Sequence, residues 1–106
     1  MPKYLLKVSY TAEGVKGLMK VGGSARREAA DAAVKSVGGR LESMYYAFGE
    51  DDVYAIVEGP DNASMAAAAM AISATGLVKA HTVVLLTPEE IDQASKKSVS
   101  YTPPGR

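Results

Sequence analysis

Apolar residues recur along this chain with two periods. Over Lys3–Tyr10 (KYLLKVSY) the period is close to two, which predicts a β-strand. Tyr4, Leu6, Val8 and Tyr10 then share one face, and Lys3, Leu5, Lys7 and Ser9 the other. Thr11 offers an N-cap oxygen to a short helix running from Ala12 to about Lys20, which Gly22-Gly23 ends. Ser24 caps a second helical stretch. In it Ala25, Ala29, Ala32, Ala33 and Val37 fall on one side, and Arg26, Arg27, Glu28, Asp31 and Lys35 on the other. Gly38-Gly39 supplies the left-handed residue that closes such a helix.

Arg40–Phe48 and Asp52–Glu58 read as two strands joined by a turn at Gly49-Glu50-Asp51. Gly59-Pro60 stops the second, and Asp61 or Asn62 caps a helix over Ala63–Ala74. Val78–Leu86 is the fourth strand. Thr87-Pro88 opens a last short helix that fades near Lys97, with Glu89 and Glu90 in its first turn. The order β-α-β-β-α-β, with the first helix broken, is the ferredoxin-like split βαβ arrangement of class α+β. It places four antiparallel strands under helices on one face and leaves the other face open. Residues 1–97 form one domain and 98–106 a C-terminal tail, loose or docked.

Strand parity divides the sheet. Val53, Ala55 and Val57 suit the helix-covered side, so Asp52, Tyr54, Ile56 and Glu58 face the open side. Lys79, His81, Val83 and Leu85 join them there. The register of the second strand stays open. A two- or four-residue hairpin loop sets Tyr45 opposite Ile56 on the open face, and a three-residue loop sets Tyr46 opposite Tyr54. The open face is too apolar for solvent and too polar for core, so a self-complementary contact between two copies, partly wet at its centre, is expected. The helix over Ala63–Ala74 carries no charge, and cover by the chain's own C-terminal segment is expected, with contact to another subunit as the alternative.

Three stretches resemble the GYD-domain family of small bacterial proteins. They are Gly38-Gly39-Arg40-Leu41-Glu42, Gly49-Glu50-Asp51-Asp52-Val53 and Glu58-Gly59-Pro60-Asp61. The resemblance runs from about Lys3 to Glu90. It implies a place in the dimeric α+β barrel group, in which two ferredoxin-like protomers press their open sheets together; no activity comes with it. Gly49 and Asp52 match the family's Gly and Asp, while Asp51 stands where the family has an aromatic residue.

Composition removes several function classes. In 106 residues, twelve basic side chains balance twelve acidic ones, so bulk charge invites neither nucleic acid nor an anionic membrane. Cysteine is absent and His81 is the one histidine, which excludes disulfides, thiolate chemistry and a multi-His metal centre in a single chain. No apolar run approaches twenty residues, and a cytoplasmic location is expected. No cofactor is implied.

The candidate ligand-binding residues are Lys7, Tyr45, Tyr54, Glu58 and His81. Histidine is the side chain suited to proton transfer at physiological pH, so His81 can act as a base or hold an anion; its plainer role is a hydrogen bond across an interface. Lys7 and Glu58 are expected to face each other across neighbouring strands, as a poised acid or base or as an ion pair. Tyr45, Tyr46 and Tyr54 can line a pocket or supply interface area. Arg26 and Arg27, beside Gly22-Gly23-Ser24, can hold an anion or form a solvated face; the spacing is neither a P-loop nor a dinucleotide fingerprint. The expected function is a homodimer, or higher oligomer, holding a small organic molecule between its open sheets. The alternatives are a cofactor-independent isomerase, lyase or monooxygenase in the same cavity, or a purely structural protein.

Overall fold

The computed structural model describes residues Met1–Arg106. Its elements run β1 (Lys3–Tyr10), α1 (Ala12–Val21), α2 (Gly23–Ser36), β2 (Arg40–Tyr46), β3 (Val53–Glu58), α3 (Asn62–Ser73), β4 (Val78–Leu85) and α4 (Pro88–Ser95). The strands form one antiparallel sheet in the order β2-β3-β1-β4. This is the ferredoxin-like α+β arrangement, with β1 central.

The period-two pattern of β1 sets the layers. Tyr4 is buried at 1 % exposure and meets Val57, Val34 and Met65 in the core, with Leu6, Val37 and Leu41 packed around them. The Tyr4 hydroxyl donates to Asn62 Oδ1 at 2.7 Å, tying β1 to the start of α3. Asp61 caps α3 by accepting from the Ser64 amide at 2.7 Å, and that bond holds its carboxyl below the usual range. The Thr11 hydroxyl caps α1 by accepting from the Gly14 amide at 3.2 Å. Thr87 and Glu90 form a reciprocal capping box on α4.

The junction of α1 and α2 differs from the expected one. Gly22, at φ 85°, ends α1 and begins α2, and Ser24 lies inside the helix rather than capping it. The positive φ at this shared position is one that glycine takes without the steric cost a Cβ would bring. The inward face of α2 differs as well. Ala25, Ala29 and Ala32 are exposed, while Arg26, Ala30, Ala33, Val34 and Val37 turn toward the sheet. These follow the same helical spacing, and the two valines bury more apolar area than the alanines do.

The hairpin also departs from both expected registers. β2 ends at Tyr46 rather than Phe48, and β3 begins at Val53, so six residues connect them. Tyr45 lies opposite Tyr54, not Ile56, and Tyr46 opposite Val53. A bulge between Leu41 and Ser43 shifts the pairing by one residue. Tyr45 still takes the open face.

The tail does not cover α3. Leu86 to Arg106 are exposed throughout, and Met70 on α3 is 71 % exposed. The radius of gyration is 16.9 Å; a compact domain of this length has about 13 Å. The excess comes from the C-terminal segment, which has Ile91, Val99 and Tyr101 uncovered. No helix is long and apolar enough to cross a membrane.

Candidate functional site

On the open face the pairing aligns side chains in rows across all four strands. One row reads Tyr45–Tyr54–Lys7–His81, because Tyr54 opposes both Tyr45 and Lys7, and Lys7 opposes His81. Four of the five predicted residues therefore stand side by side. At about 4.8 Å per strand the row spans about 14 Å. The neighbouring row, Ser43–Ile56–Leu5–Val83, is mostly apolar. Tyr45 is 72 % exposed and Val83 41 %.

Glu58 does not belong to the row. It opposes Lys3 and Arg40 four residues along β3 from Tyr54, about 13 Å away at about 3.3 Å per residue. The expected pairing with Lys7 is therefore absent: β1 and β3 run antiparallel, which sends Glu58 to the Lys3 end. The Arg40 guanidinium donates to Glu58 Oε1 at 2.6 Å, and Lys3 Nζ stands 3.9 Å away.

Lys7 pairs instead with Asp51, a residue of the turn expected at Gly49-Glu50-Asp51. Its ammonium lies 3.7 Å from Asp51 Oδ2, and the Ser9 hydroxyl donates to Asp51 Oδ1 at 3.1 Å. Asp51 is 6 % exposed. A carboxylate this buried needs a cation and a donor, and β1 supplies both. Asp52, expected on the open side, spends its carboxylate on the backbone: Oδ2 accepts from the Tyr10 amide at 2.8 Å, while the Asp52 amide donates to the Val8 carbonyl at 2.8 Å. β1 runs two residues past the Val8–Val53 pair, leaving groups for the loop to satisfy. Asp52 thus meets the overhanging backbone, and Ser9 within the overhang reaches Asp51; no local sequence signal marks either contact.

The row can present two nitrogen donors, Lys7 Nζ and the His81 ring, beside two phenol rings. This set suits a small carboxylate or an enolate attached to an apolar or aromatic body. Among the side chains no cluster of three His, Asp or Glu residues forms a metal site.

The pairing with Arg40 gives Glu58 a measurable signature. The guanidinium beside it holds its carboxyl below the usual glutamate range, against the opposing effect of desolvation. A carboxyl with a lowered folded-state value contributes stability above its unfolded value of about 4.3, and loses it as pH falls through the folded value. Carbon-13 NMR should therefore place the Glu58 midpoint below about 4.3, and Arg40→Gln should raise it. An unmoved midpoint in the variant would show that the ion pair does not persist in solution.

A comparison with curated proteins finds no match. The GYD domain model matches residues 4–95, which takes in all four strands, every residue of the row, and Asp51. The chain belongs to the GYD-domain family.

Proposed function

We propose that the chain acts as a homodimer that pairs its open sheet faces and holds a small organic molecule between them. The observation carrying this reading is the Tyr45–Tyr54–Lys7–His81 row beside an apolar row. Leu5, Ile56 and Val83 provide area that gains by leaving water. Lys7 and His81 provide the polar contacts that orient a ligand within an otherwise apolar site. Asp51 partly compensates the Lys7 charge, which makes its burial in an interface tolerable. The uncovered apolar side chains of α4 and the tail also favour association.

Sedimentation velocity over a micromolar concentration series tests the assembly. The natural chain should sediment as a dimer, and Val83→Glu should weaken dimerisation by roughly tenfold or more with its circular dichroism unchanged. A monomeric natural chain would overturn the reading. Native mass spectrometry of the dimer tests the ligand: a retained small-molecule mass that disappears in Lys7→Ala supports the site, and one that persists places it elsewhere.

A cofactor-independent isomerase or lyase is the second reading, favoured by the buried Asp51 carboxylate against Lys7. In it His81 takes a proton and Lys7 stabilises the enolate that results. His81→Ala should then abolish turnover and leave the dimer and its melting temperature nearly unchanged.

A further inference from the structure

The opposite side of the sheet holds a second feature. Between the sheet and helices α1, α2 and α3 runs a cleft of about 590 Å3, within the roughly 300–1,000 Å3 typical of ligand sites. Its floor is Leu6, Val8, Val53, Ala55 and Val57, and its walls are built largely from alanines of α2 and α3. These small side chains leave the space between the helices and the floor unfilled. Tyr10 supplies the one aromatic ring, so the walls offer little to stack on and suit a flexible aliphatic body.

Arg26 is the one charged side chain lining this cleft. It is half-buried. No carboxylate lies within ion-pair reach of it, whereas Lys35 on the same helix pairs with Asp31 at 2.8 Å. The positions three and four residues away are Gly22, Gly23, Ala29 and Ala30, so α2 provides no counterion. Burial and the Tyr10 hydroxyl push the Tyr46 phenol up to about 12, and it supplies no counterion either, since a phenol is neutral at physiological pH even at its ordinary value. A guanidinium keeps its charge in any surroundings and matches a carboxylate with two parallel hydrogen bonds.

We propose that the cleft binds an aliphatic monocarboxylate, with its carboxylate on Arg26 and its chain among Leu18, Val37, Ala68 and Ile72. The site lies on the far side of the sheet from Lys7 and His81, because Leu6 and Val8 alternate with Lys7 along β1. It therefore stands or falls separately from the sheet-to-sheet site.

The test is a titration of the full chain with decanoate, and in parallel with decanol, followed by proton–nitrogen NMR. Decanoate should saturate and move the amides of Leu18, Ala30 and Ile72 while leaving those of His81 and Val83 in place. Arg26→Gln should weaken decanoate by roughly tenfold or more and decanol by less than about twofold, as expected for one charge-assisted pair. Ala33→Leu, which adds bulk inside the cleft, should weaken both ligands. The proposal is overturned if decanoate does not saturate, if its shifts fall on the open face, or if Arg26→Gln leaves it as tightly bound as before. It is also overturned if Ala33→Leu retains the fold by circular dichroism and binds decanoate unchanged.

Discussion

Alanine at position 14 should cost the domain about 3 kcal/mol, at the upper end of ordinary overpacking. Gly14 is buried in the first turn of α1, under the Leu77 carbonyl that also accepts from the Thr11 amide at 3.0 Å. A Cβ at Gly14 would stand 1.9 Å from that oxygen and 2.9 Å from its carbon. The obstacle is backbone, so no rotamer change relieves it. Either α1 lifts away or the turn before β4 moves, and the Thr11 anchor goes with it. The melting midpoint should fall by roughly 10–20 °C. Gly17 provides the internal control. It lies one turn further along α1, and a Cβ there meets nothing within 4 Å. Gly17→Ala should therefore raise stability by about 0.5–1 kcal/mol through helix propensity alone. If both variants melt like the natural chain, α1 does not rest against the Leu77 carbonyl in solution.

Tyr4→Ala should be comparably damaging, at about 3–5 kcal/mol, the range for removing a large buried ring. Tyr4 lies at 1 % exposure in the small cluster with Val34, Val57 and Met65, and few other side chains share its work. Tyr4→Phe separates the ring from its hydroxyl. It should cost about 1 kcal/mol, the usual net value of a hydrogen bond, here the one to Asn62. In an Asn62→Ala background that cost should shrink, because the partner is already gone. Chemical denaturation of the natural chain, the three single variants and the Tyr4→Phe/Asn62→Ala double variant measures both contributions. A Tyr4→Phe change that costs as much as Tyr4→Ala would shift the credit from packing to the hydroxyl.

The sheet and its two faces could be read from residues because one physical rule governs both. Alternation of Tyr4, Leu6, Val8 and Tyr10 assigns the covered face, and once β1 is assigned its partners inherit the parity. Thr11, Asp61 and Thr87 announced their helices because a capping oxygen has a local job that needs no tertiary context. What failed was non-local. The strand-two register depends on a six-residue loop and a bulge near Glu42, neither of which has a short-range signature. Glu58 was paired with the wrong lysine because which strand ends meet follows from antiparallel register, not from charge. Asp51 reads as a turn residue, and only the folded sheet shows Ser9, in the overhang of β1, and Lys7, two residues before it, standing beside its carboxylate. The sequence leaves Arg26 between an anion site and a solvated face, because the alanine pattern points away from it; the larger Val34 decides which way α2 rolls and turns Arg26 inward. The absence of charge on α3 is plain in the sequence, but the C-terminal segment expected to cover it is itself exposed and leaves Met70 uncovered.

The central position of β1 bears on how the chain is made. This strand is made before the other strands of the domain, yet its neighbours are β3 and β4, and Lys3 pairs with Leu85 near the far end of the domain. At about 5–20 residues per second the last partner emerges on the order of 4–15 s after the first strand. During that interval Leu6 and Val8 have no finished sheet around them, and one edge of β1 offers open amides and carbonyls. The nascent domain is thus most vulnerable to misassociation while β1 waits for its partners, and any factor that shields Lys3–Tyr10 during synthesis should raise the yield of folded protein more than one acting on the C-terminal segment.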